Sequence, residues 1–226
     1  GESLKDTVQN LAAMKIDAVI IRHSVPGTPV QLTKFIDAVV INAGDGAHEH
    51  PTQAILDMVS LQEEFGSLKG LKIGIVGDMA HSRVARSNIL GLTTMGAHVK
   101  LCAPPTLLPL ALDGFPVNIS YSIDEIIDWA DALIILRLQL ERMGQALIPS
   151  IREYRSFFGV TSERIKKHGK SLVIMHPGPM NRGIEIDSDV ADSKQAIILN
   201  QVLNGVASRM AILYLLLGKK NLEKSD

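Results

Sequence analysis

A glycine-rich segment followed by a proline, at residues 42–53, carries the residue types in this chain that are best suited to chemistry. It places an imidazole, His50, directly before the proline that begins a helical pattern, and a carboxamide, Gln53, one turn into that pattern. The first N–H groups of a helix lack intrahelical partners and carry partial positive charge, so they favour anions and developing oxyanions. The segment therefore predicts a site that binds a phosphate-bearing carbonyl compound and polarises its carbonyl group.

Basic side chains or a proline-rich turn follow four predicted strands elsewhere in the chain. These residues are Arg22, Arg83, Arg137 with Gln139, and Pro177 with Gly178. The carboxyl ends of strands in a doubly wound sheet meet in one crevice. Guanidinium groups bind carboxylates and phosphates through paired hydrogen bonds, so three arginines there predict more than one anionic group.

A simpler interpretation stands beside each of these residues. A single arginine is most often a solvated surface residue or an ordinary ion-pair partner. His50 could be a helix-cap residue that satisfies backbone groups, and Gln53 could be a polar residue of a helix's first turn. The placement of all three arginines after strands is what favours the functional interpretation.

Metal and dinucleotide sites receive less support. His48, Glu49 and His50 are adjacent and so do not share a helix face, which disfavours a metal site. Residues 74–78 resemble the start of a dinucleotide fingerprint, but the third glycine is missing and the next strand ends without a ribose-binding acid. We expect neither a metal nor a cofactor. The histidines without partner spacing are interpreted as structural, namely His23, His81, His98 and His168.

Composition narrows the class of protein. Of the 226 residues, 46% are hydrophobic and only 4% aromatic, which is typical of an aliphatic α/β core. The formal net charge of −1 gives no support to binding of nucleic acid or an acidic membrane. The single cysteine, Cys102, excludes an intramolecular disulfide, fits a reducing cytosol, and lies in a strand-like run where a buried, inert thiol is expected. The apolar run at 210–217 is too short to span a bilayer.

Apolar strands alternate with helical patterns along the chain, which predicts parallel sheets covered on both faces. Strands are expected at 16–21, 38–41, 71–76, 98–103, 132–136 and 172–175, and the longer helices at 51–65, 84–95 and 195–217. The predicted fold is α/β, with two doubly wound parallel-sheet domains joined by a bridging helix. Residues 1–65 form an incomplete first domain ending in that helix, 66–194 the second domain, and 195–226 a C-terminal helix that packs back on the first.

Several motifs occur together in a fixed order, at residues 1–7, 21–23, 42–53, 77–83, 137–142, 176–182 and 201–206. In this combination the chain resembles the catalytic chains of the aspartate carbamoyltransferase family. The resemblance implies transfer of the carbamoyl group of carbamoyl phosphate to the amine of L-aspartate. The products would be N-carbamoyl-L-aspartate, for pyrimidine biosynthesis, and phosphate.

The resemblance also implies a role for each candidate residue. The residues that would bind carbamoyl phosphate are Arg22, His50 and Gln53, together with the backbone carbonyls of Pro177 and Gly178. The first three are also the catalytic set: Arg22 and His50 would donate to the carbonyl oxygen, and Gln53 would accept from the carbamoyl NH₂. The residues that would bind aspartate are Arg83, Arg137 and Gln139.

Ornithine carbamoyltransferases are the nearest alternative within the resemblance. Their pattern usually has a His-Cys-Leu-Pro turn and an Asp-x-Trp stretch, whereas this chain has His-Pro-Gly-Pro at 176–179 and Arg137-x-Gln139. Arginine attracts a dicarboxylate and repels a cationic amine side chain, so aspartate is favoured. Two more distant interpretations are a non-catalytic scaffold subunit and an unrelated nucleotide-binding α/β protein.

The family's phosphate loop, Ser-Thr-Arg-Thr, and a serine and lysine that reach the neighbouring subunit's site precede the position where this sequence starts. We therefore expect a chain lacking its N-terminal segment, which binds carbamoyl phosphate poorly and is inactive alone. The resemblance further implies a cytoplasmic homotrimer with shared active sites. A regulatory or dihydroorotase subunit is the expected further partner, and no nucleic acid or membrane is expected.

Overall fold

The computed structural model describes residues 1–109, 114–140 and 147–222. The seven strands it contains in these ranges are β1 (Ala18–His23), β2 (Val39–Asp45), β3 (Lys72–Val76), β4 (His98–Cys102), β5 (Val117–Ser120), β6 (Ala132–Ile135) and β7 (Val173–Met175). The helices are α1 (Leu4–Ala13), α2 (Thr28–Leu32), α3 (Pro51–Phe65), α4 (Arg83–Thr94), α5 (Ile123–Trp129), α6 (Ile151–Phe158), α7 (Ser162–His168), α8 (Ser188–Ala191) and α9 (Ile198–Leu222). Glu141 and Arg142 of the 137–142 motif lie outside the described residues.

The strands form two parallel sheets. β1 pairs with β2, and the second sheet has the order β5-β4-β3-β6-β7. Chain order runs outward from β3 to β5 on one side and from β6 to β7 on the other. The sheet is therefore doubly wound with its switch point between β3 and β6, where such folds bind ligands. The α/β class with parallel sheets is confirmed, and β5 is a strand that the sequence patterns did not indicate.

The core lies on both faces of the larger sheet, as β6 illustrates. Every residue of β6 is buried, and alternate side chains belong to different apolar clusters. Ala132 and Ile134 face the cluster that contains Ile89 of α4, whereas Leu133 faces the cluster formed with α5. This explains why the strand is apolar throughout rather than alternating.

The predicted inert thiol is confirmed at the edge of the same core. Cys102, at the end of β4, has no exposed surface, and burial raises the pKa of its thiol to about 12. A thiol with such a pKa is protonated at neutral pH and is a poor nucleophile.

Helix α3 contacts three other elements near the site, namely β2, α4 and α9. Proline stands at its first position, and Gly66 ends it in the left-handed conformation, with φ of 75°. It packs against α4 and α9, and Asn204 of α9 donates to the Ser60 hydroxyl of α3 at 3.0 Å. The sequence-based boundaries of 51–65 for this helix are therefore reproduced.

Helix α9 differs from its prediction in length. Residues Ile198–Gly218 are long and apolar enough to cross a membrane by length and composition, which the short run at 210–217 did not indicate. The side of α9 that faces α3 is polar, however, with Gln201, Asn204 and Ser208 all buried. Such buried polar contacts are typical of a helix that packs within a folded domain. They favour this interpretation of α9 over a membrane span.

The close approach of β3 to β6 gives a test of this packing. Gly77 directly follows β3 and has a φ of 122°, and a Cβ there would lie 2.4 Å from the carbonyl oxygen of Leu136. We expect Gly77→Ala to lower the free energy of unfolding by roughly 3 kcal/mol or more, through backbone strain plus steric overlap. Gly70→Ala is the matched control, since φ is also positive there (79°) but nothing lies within 4 Å of the added atom. Urea denaturation showing equal losses for the two variants would contradict the packing described.

Candidate active site

His50 stands at the N-terminus of α3, between the two sheets. It occupies the N-cap position, but its side chain makes no capping hydrogen bond, so the helix-cap interpretation does not account for it. Its backbone N–H donates to the Ser87 hydroxyl of α4 at 2.8 Å. Burial, and then the nearby charges of Arg22, Arg83 and Arg209, lower the pKa of His50 to about 4. The imidazole is therefore neutral at physiological pH and has one N–H to donate.

Gln53 lies one turn further into α3 and is almost completely buried, with 8% of its surface exposed. Its side-chain nitrogen donates to a carboxylate oxygen of Asp57 at 3.0 Å. A carboxamide engaged in this way is not an ordinary solvated residue of a helix's first turn. One of its two N–H groups is used in this bond, and its oxygen can accept from another partner.

A single cavity of about 290 Å³ brings together every residue proposed from sequence as a ligand. Its lining consists of Arg22, His50, Gln53, His81, Ser82, Arg83, Val84, Leu136, Arg137, Gln139, Pro177, Gly178, Pro179 and Arg209. Arg22 comes from β1, whereas Arg83, Arg137 and Pro177 come from the segments after β3, β6 and β7. The cavity thus lies at the switch point of the larger sheet and is closed on the other side by the smaller sheet and α3.

The segments after β3 and β6 are joined through a fully buried carboxylate. Asp78 accepts hydrogen bonds from the His81 ring nitrogen at 2.8 Å and from the backbone N–H of Gln139 at 3.3 Å. The side-chain nitrogen of Gln139 in turn donates to the carbonyl oxygen of His81 at 2.9 Å. These bonds fix one wall of the cavity. They use one of the two N–H groups of the Gln139 side chain, and the second N–H can donate to a ligand.

The segment after β7 is held by its own hydrogen bonds. The backbone N–H of Gly178 donates to Nδ1 of His176 at 2.9 Å, and the backbone N–H of His176 donates to the Gln201 side chain at 3.0 Å. His176 is buried, whereas Gly178 is exposed to the cavity. The turn is therefore anchored at its buried end, while Pro177 and Gly178 line the open side.

Two ionisable residues of the cavity were not identified from sequence as functional. His81 was interpreted as structural but lines the cavity, and its spacing of three residues from Asp78 was the available signal. Arg209 was also missed. It projects from α9 toward His50, and its signal is that it is the only charged residue between Ile198 and Gly218.

One group of potential metal ligands occurs among the described residues. Nitrogen or oxygen atoms of Asp45, His48 and Glu49 lie within 4.8 Å of one another, a set that includes Asp45 and not His50. Both oxygens of Asp45 accept the backbone N–H of Gly27, and Glu49 accepts from Asn42 at 2.9 Å. These bonds, together with one of 3.1 Å between His48 Nδ1 and the Asp45 carboxylate, account for the cluster within the protein, so we assign no metal here.

A larger cleft of about 520 Å³ lies elsewhere, beside α5, α6 and α7. Its central arginines are committed to the protein: Arg155 pairs with Asp187, and Arg164 donates to the Gly159 carbonyl at 2.7 Å. It contains none of the residues expected to do chemistry. The smaller cavity is therefore the candidate active site. The chain is thus an α/β protein whose cationic cavity lies at the topological switch point of a parallel sheet and is lined from two sides.

Comparison with known proteins identifies the family to which the chain belongs. Residues 1–63 match the carbamoyl-P binding domain of aspartate/ornithine carbamoyltransferase, and residues 69–216 match its Asp/Orn binding domain. The chain is 57% identical over 220 residues to the aspartate carbamoyltransferase catalytic subunit of Gemmatimonas aurantiaca, covering 97% of this chain and 69% of that protein. It is 53% identical to that of Thermobifida fusca, covering 96% and 70%. The chain belongs to the aspartate/ornithine carbamoyltransferase family.

Solved structures of Trypanosoma cruzi aspartate transcarbamoylase have the same fold. The complex with carbamoyl phosphate aligns with a TM-score of 0.84 at 27% identity, covering 95% of this chain and 70% of that one. The complex with carbamoyl phosphate and aspartate aligns with a TM-score of 0.82, also at 27% identity, covering 95% and 71%. These similarities confirm the family resemblance that the motifs indicate.

The charge state of His50 is directly testable. We expect NMR titration to show its imidazole neutral down to about pH 4. Because the unfolded chain binds this proton near pH 6.5, the free energy of unfolding contributed by His50 should fall as pH drops from 6.5 toward 4. Removing a nearby positive charge with Arg209→Gln should raise the pKa of His50, and an unchanged value would contradict the described proximity.

Proposed function

We propose that this chain is the catalytic chain of an aspartate carbamoyltransferase. It transfers the carbamoyl group of carbamoyl phosphate to the amine of L-aspartate, which yields N-carbamoyl-L-aspartate and phosphate. The observation that carries this assignment is the single cavity in which a neutral imidazole, a carboxamide oxygen and several guanidinium groups face one another. Carbamoyl phosphate requires those donors and acceptors on one side, and a dicarboxylate requires the cations on the other.

On the carbamoyl phosphate side, Arg22 and the neutral His50 donate to the carbonyl oxygen. Gln53 accepts from the carbamoyl NH₂ through its side-chain oxygen, the atom that its bond to Asp57 leaves available. Donors held in place before the reaction stabilise negative charge as it develops on that oxygen. A neutral imidazole suits this role because it still has one N–H to donate and adds no further positive charge beside the guanidinium groups.

On the aspartate side, Arg83, Arg137 and Gln139 bind the two carboxylates, and the backbone carbonyls of Pro177 and Gly178 orient the reacting nitrogens. The unprotonated amine attacks the carbonyl carbon to form a C–N bond and a tetrahedral oxyanion. The C–O bond to phosphate then breaks, and the proton on the attacking nitrogen passes to the departing phosphate. Orientation and oxyanion stabilisation account for this route without a covalent intermediate, metal or cofactor.

Two competing functions are distinguishable by experiment. An ornithine-type enzyme would need an anionic partner for the ornithine side chain, whereas this cavity presents Arg83 and Arg137. A non-catalytic scaffold would not need Arg22, His50 and Gln53 together in one cavity. Product formation by the full-length protein with aspartate, and none with ornithine, is expected. The reverse pattern would favour the ornithine-type enzyme, and no turnover with either substrate would favour the scaffold.

Assembly and organisation belong to the same proposal. We propose a cytoplasmic homotrimer with shared active sites, a division of the chain at 1–65, 66–194 and 195–226, and association with a regulatory or dihydroorotase subunit. The polar contacts between α3 and α9 support the idea that residues 195–226 pack back on the first unit. Sedimentation analysis of the full-length protein tests the trimer.

His50 is the residue whose loss should affect the chemical step. We expect His50→Ala to lower kcat by ~10²–10³ because one oxyanion donor is removed. His98→Ala is the control, since His98 is exposed at the start of β4 and outside the cavity. Steady-state kinetics in which the His50 variant retains full turnover would refute the assignment.

Arg137 should affect the second substrate. We expect Arg137→Ala to raise KM for aspartate by ~10-fold or more, since a charge-assisted bond to a carboxylate is lost. Binding of carbamoyl phosphate to the free enzyme, measured by calorimetry, should change little. A large loss of carbamoyl phosphate affinity with an unchanged KM for aspartate would contradict this assignment and place Arg137 on the carbamoyl phosphate side of the cavity.

A further inference from the structure

The buried carboxylate of Asp57 is not used in the mechanism above, although it lies one turn from Gln53 on α3. It is 0% exposed and accepts three side-chain hydrogen bonds. The donors are Gln53 at 3.0 Å, Asn88 at 2.7 Å and Gln201 at 2.8 Å. A buried carboxylate held by neutral amide donors is costly, so its retention calls for an explanation.

The three donors come from three helices that meet at the cavity. Gln53 belongs to α3, Asn88 to α4 and Gln201 to α9. Gln201 extends the network, because its side-chain oxygen accepts the backbone N–H of His176 at the base of the Pro177–Gly178 turn. Asp57 is thus connected by direct bonds to one cavity side chain and by one relay to a cavity turn.

An ionised carboxylate can accept hydrogen bonds and cannot donate them. A carboxamide facing it must therefore present its NH₂ group, which turns its oxygen the other way. Gln53 also lines the cavity, so an amide held in this way has its oxygen available to a ligand there. The two ends of an amide group are similar in shape, and the side chain of Asp57 thus determines which of them the ligand meets.

We propose that Asp57 is a positioning residue that holds the Gln53 oxygen toward the carbamoyl NH₂ and, through Gln201, anchors the Pro177–Gly178 turn. This inference rests on the proposed function, because it assigns a purpose to the orientation of Gln53 in carbamoyl phosphate binding. Without the carboxylate, the amide could rotate and present N–H groups to the ligand's N–H groups. Two donors facing each other would leave both without a partner.

The electrostatics are consistent with a destabilised but retained anion. Burial raises the pKa of Asp57 to about 6, while the three amide donors and the charge of Arg209 counteract that rise. At neutral pH the carboxylate is therefore the main form. This is the form that accepts and does not donate.

The test compares two ligands that differ only at the group Gln53 contacts. Carbamoyl phosphate carries an NH₂ group where acetyl phosphate carries a methyl group, so only the first needs the Gln53 oxygen. Asp57→Asn preserves the shape of the side chain but adds donors, which permits Gln53 to rotate. In the full-length protein we expect this variant to weaken binding of carbamoyl phosphate about tenfold more than binding of acetyl phosphate.

A matched control separates positioning from stability. Asn204→Ala removes another buried polar contact between α3 and α9, about one turn further along both helices. It should lower Tm but leave the ratio of the two affinities unchanged. In a Gln53→Ala background, Asp57→Asn should no longer change that ratio. Equal weakening of both ligands by Asp57→Asn, or a change in ratio that persists without Gln53, would overturn the proposal.

A measurement on the unsubstituted protein keeps the proposal testable if Asp57→Asn does not fold. Side-chain amide NMR should show the Gln53 NH₂ protons protected from exchange and nearly unshifted when carbamoyl phosphate binds. A large shift of these protons would place the nitrogen against the ligand and contradict the proposal. Absence of carbamoyl transfer by the unsubstituted full-length protein would instead refute the proposed function, so the two failures are distinguishable.

Discussion

The first two turns of α3 have to satisfy two environments at once. One end places His50 and Gln53 against an open cavity, and the next turn carries Asp57 into the packed contact with α4 and α9. The buried side of the helix is therefore only partly apolar. Leu56 and Leu61 are buried there, but so are Gln53 and Asp57. The bonds of these buried polar side chains fix the helices that surround the site.

Cation crowding has a chemical consequence at the cavity. Arginines from β1, α4 and α9 lower the pKa of His50 together with its burial, so the site gathers positive charge without adding an imidazolium. In the proposed reaction, several positive charges suit two anionic substrates, and the uncharged ring donates its N–H to the carbonyl oxygen. The near-zero net charge of the whole chain shows that this field is local.

Much of this arrangement could be predicted from sequence, for definable reasons. The apolar runs at β3, β6 and β7 and the Gly-Pro signals around α3 indicated the parallel fold, and strand ends indicated Arg22, Arg83 and Arg137. Strand β5 was missed because it is short and half of it is exposed. His81 and Arg209 were missed because their importance depends on which loops and helices meet, and sequence spacing does not report that.

Residue type and residue orientation are separate levels of information, and Gln53 shows the difference. Sequence identifies a carboxamide at the right place but treats its two ends alike. Only the neighbouring acceptors and donors decide which end faces the cavity. In α9, the buried polar positions 201, 204 and 208 recur every three or four residues within an apolar helix, a pattern that sequence does contain. Such a stripe marks a helix whose partner is polar, and here that partner is the helix that carries the site.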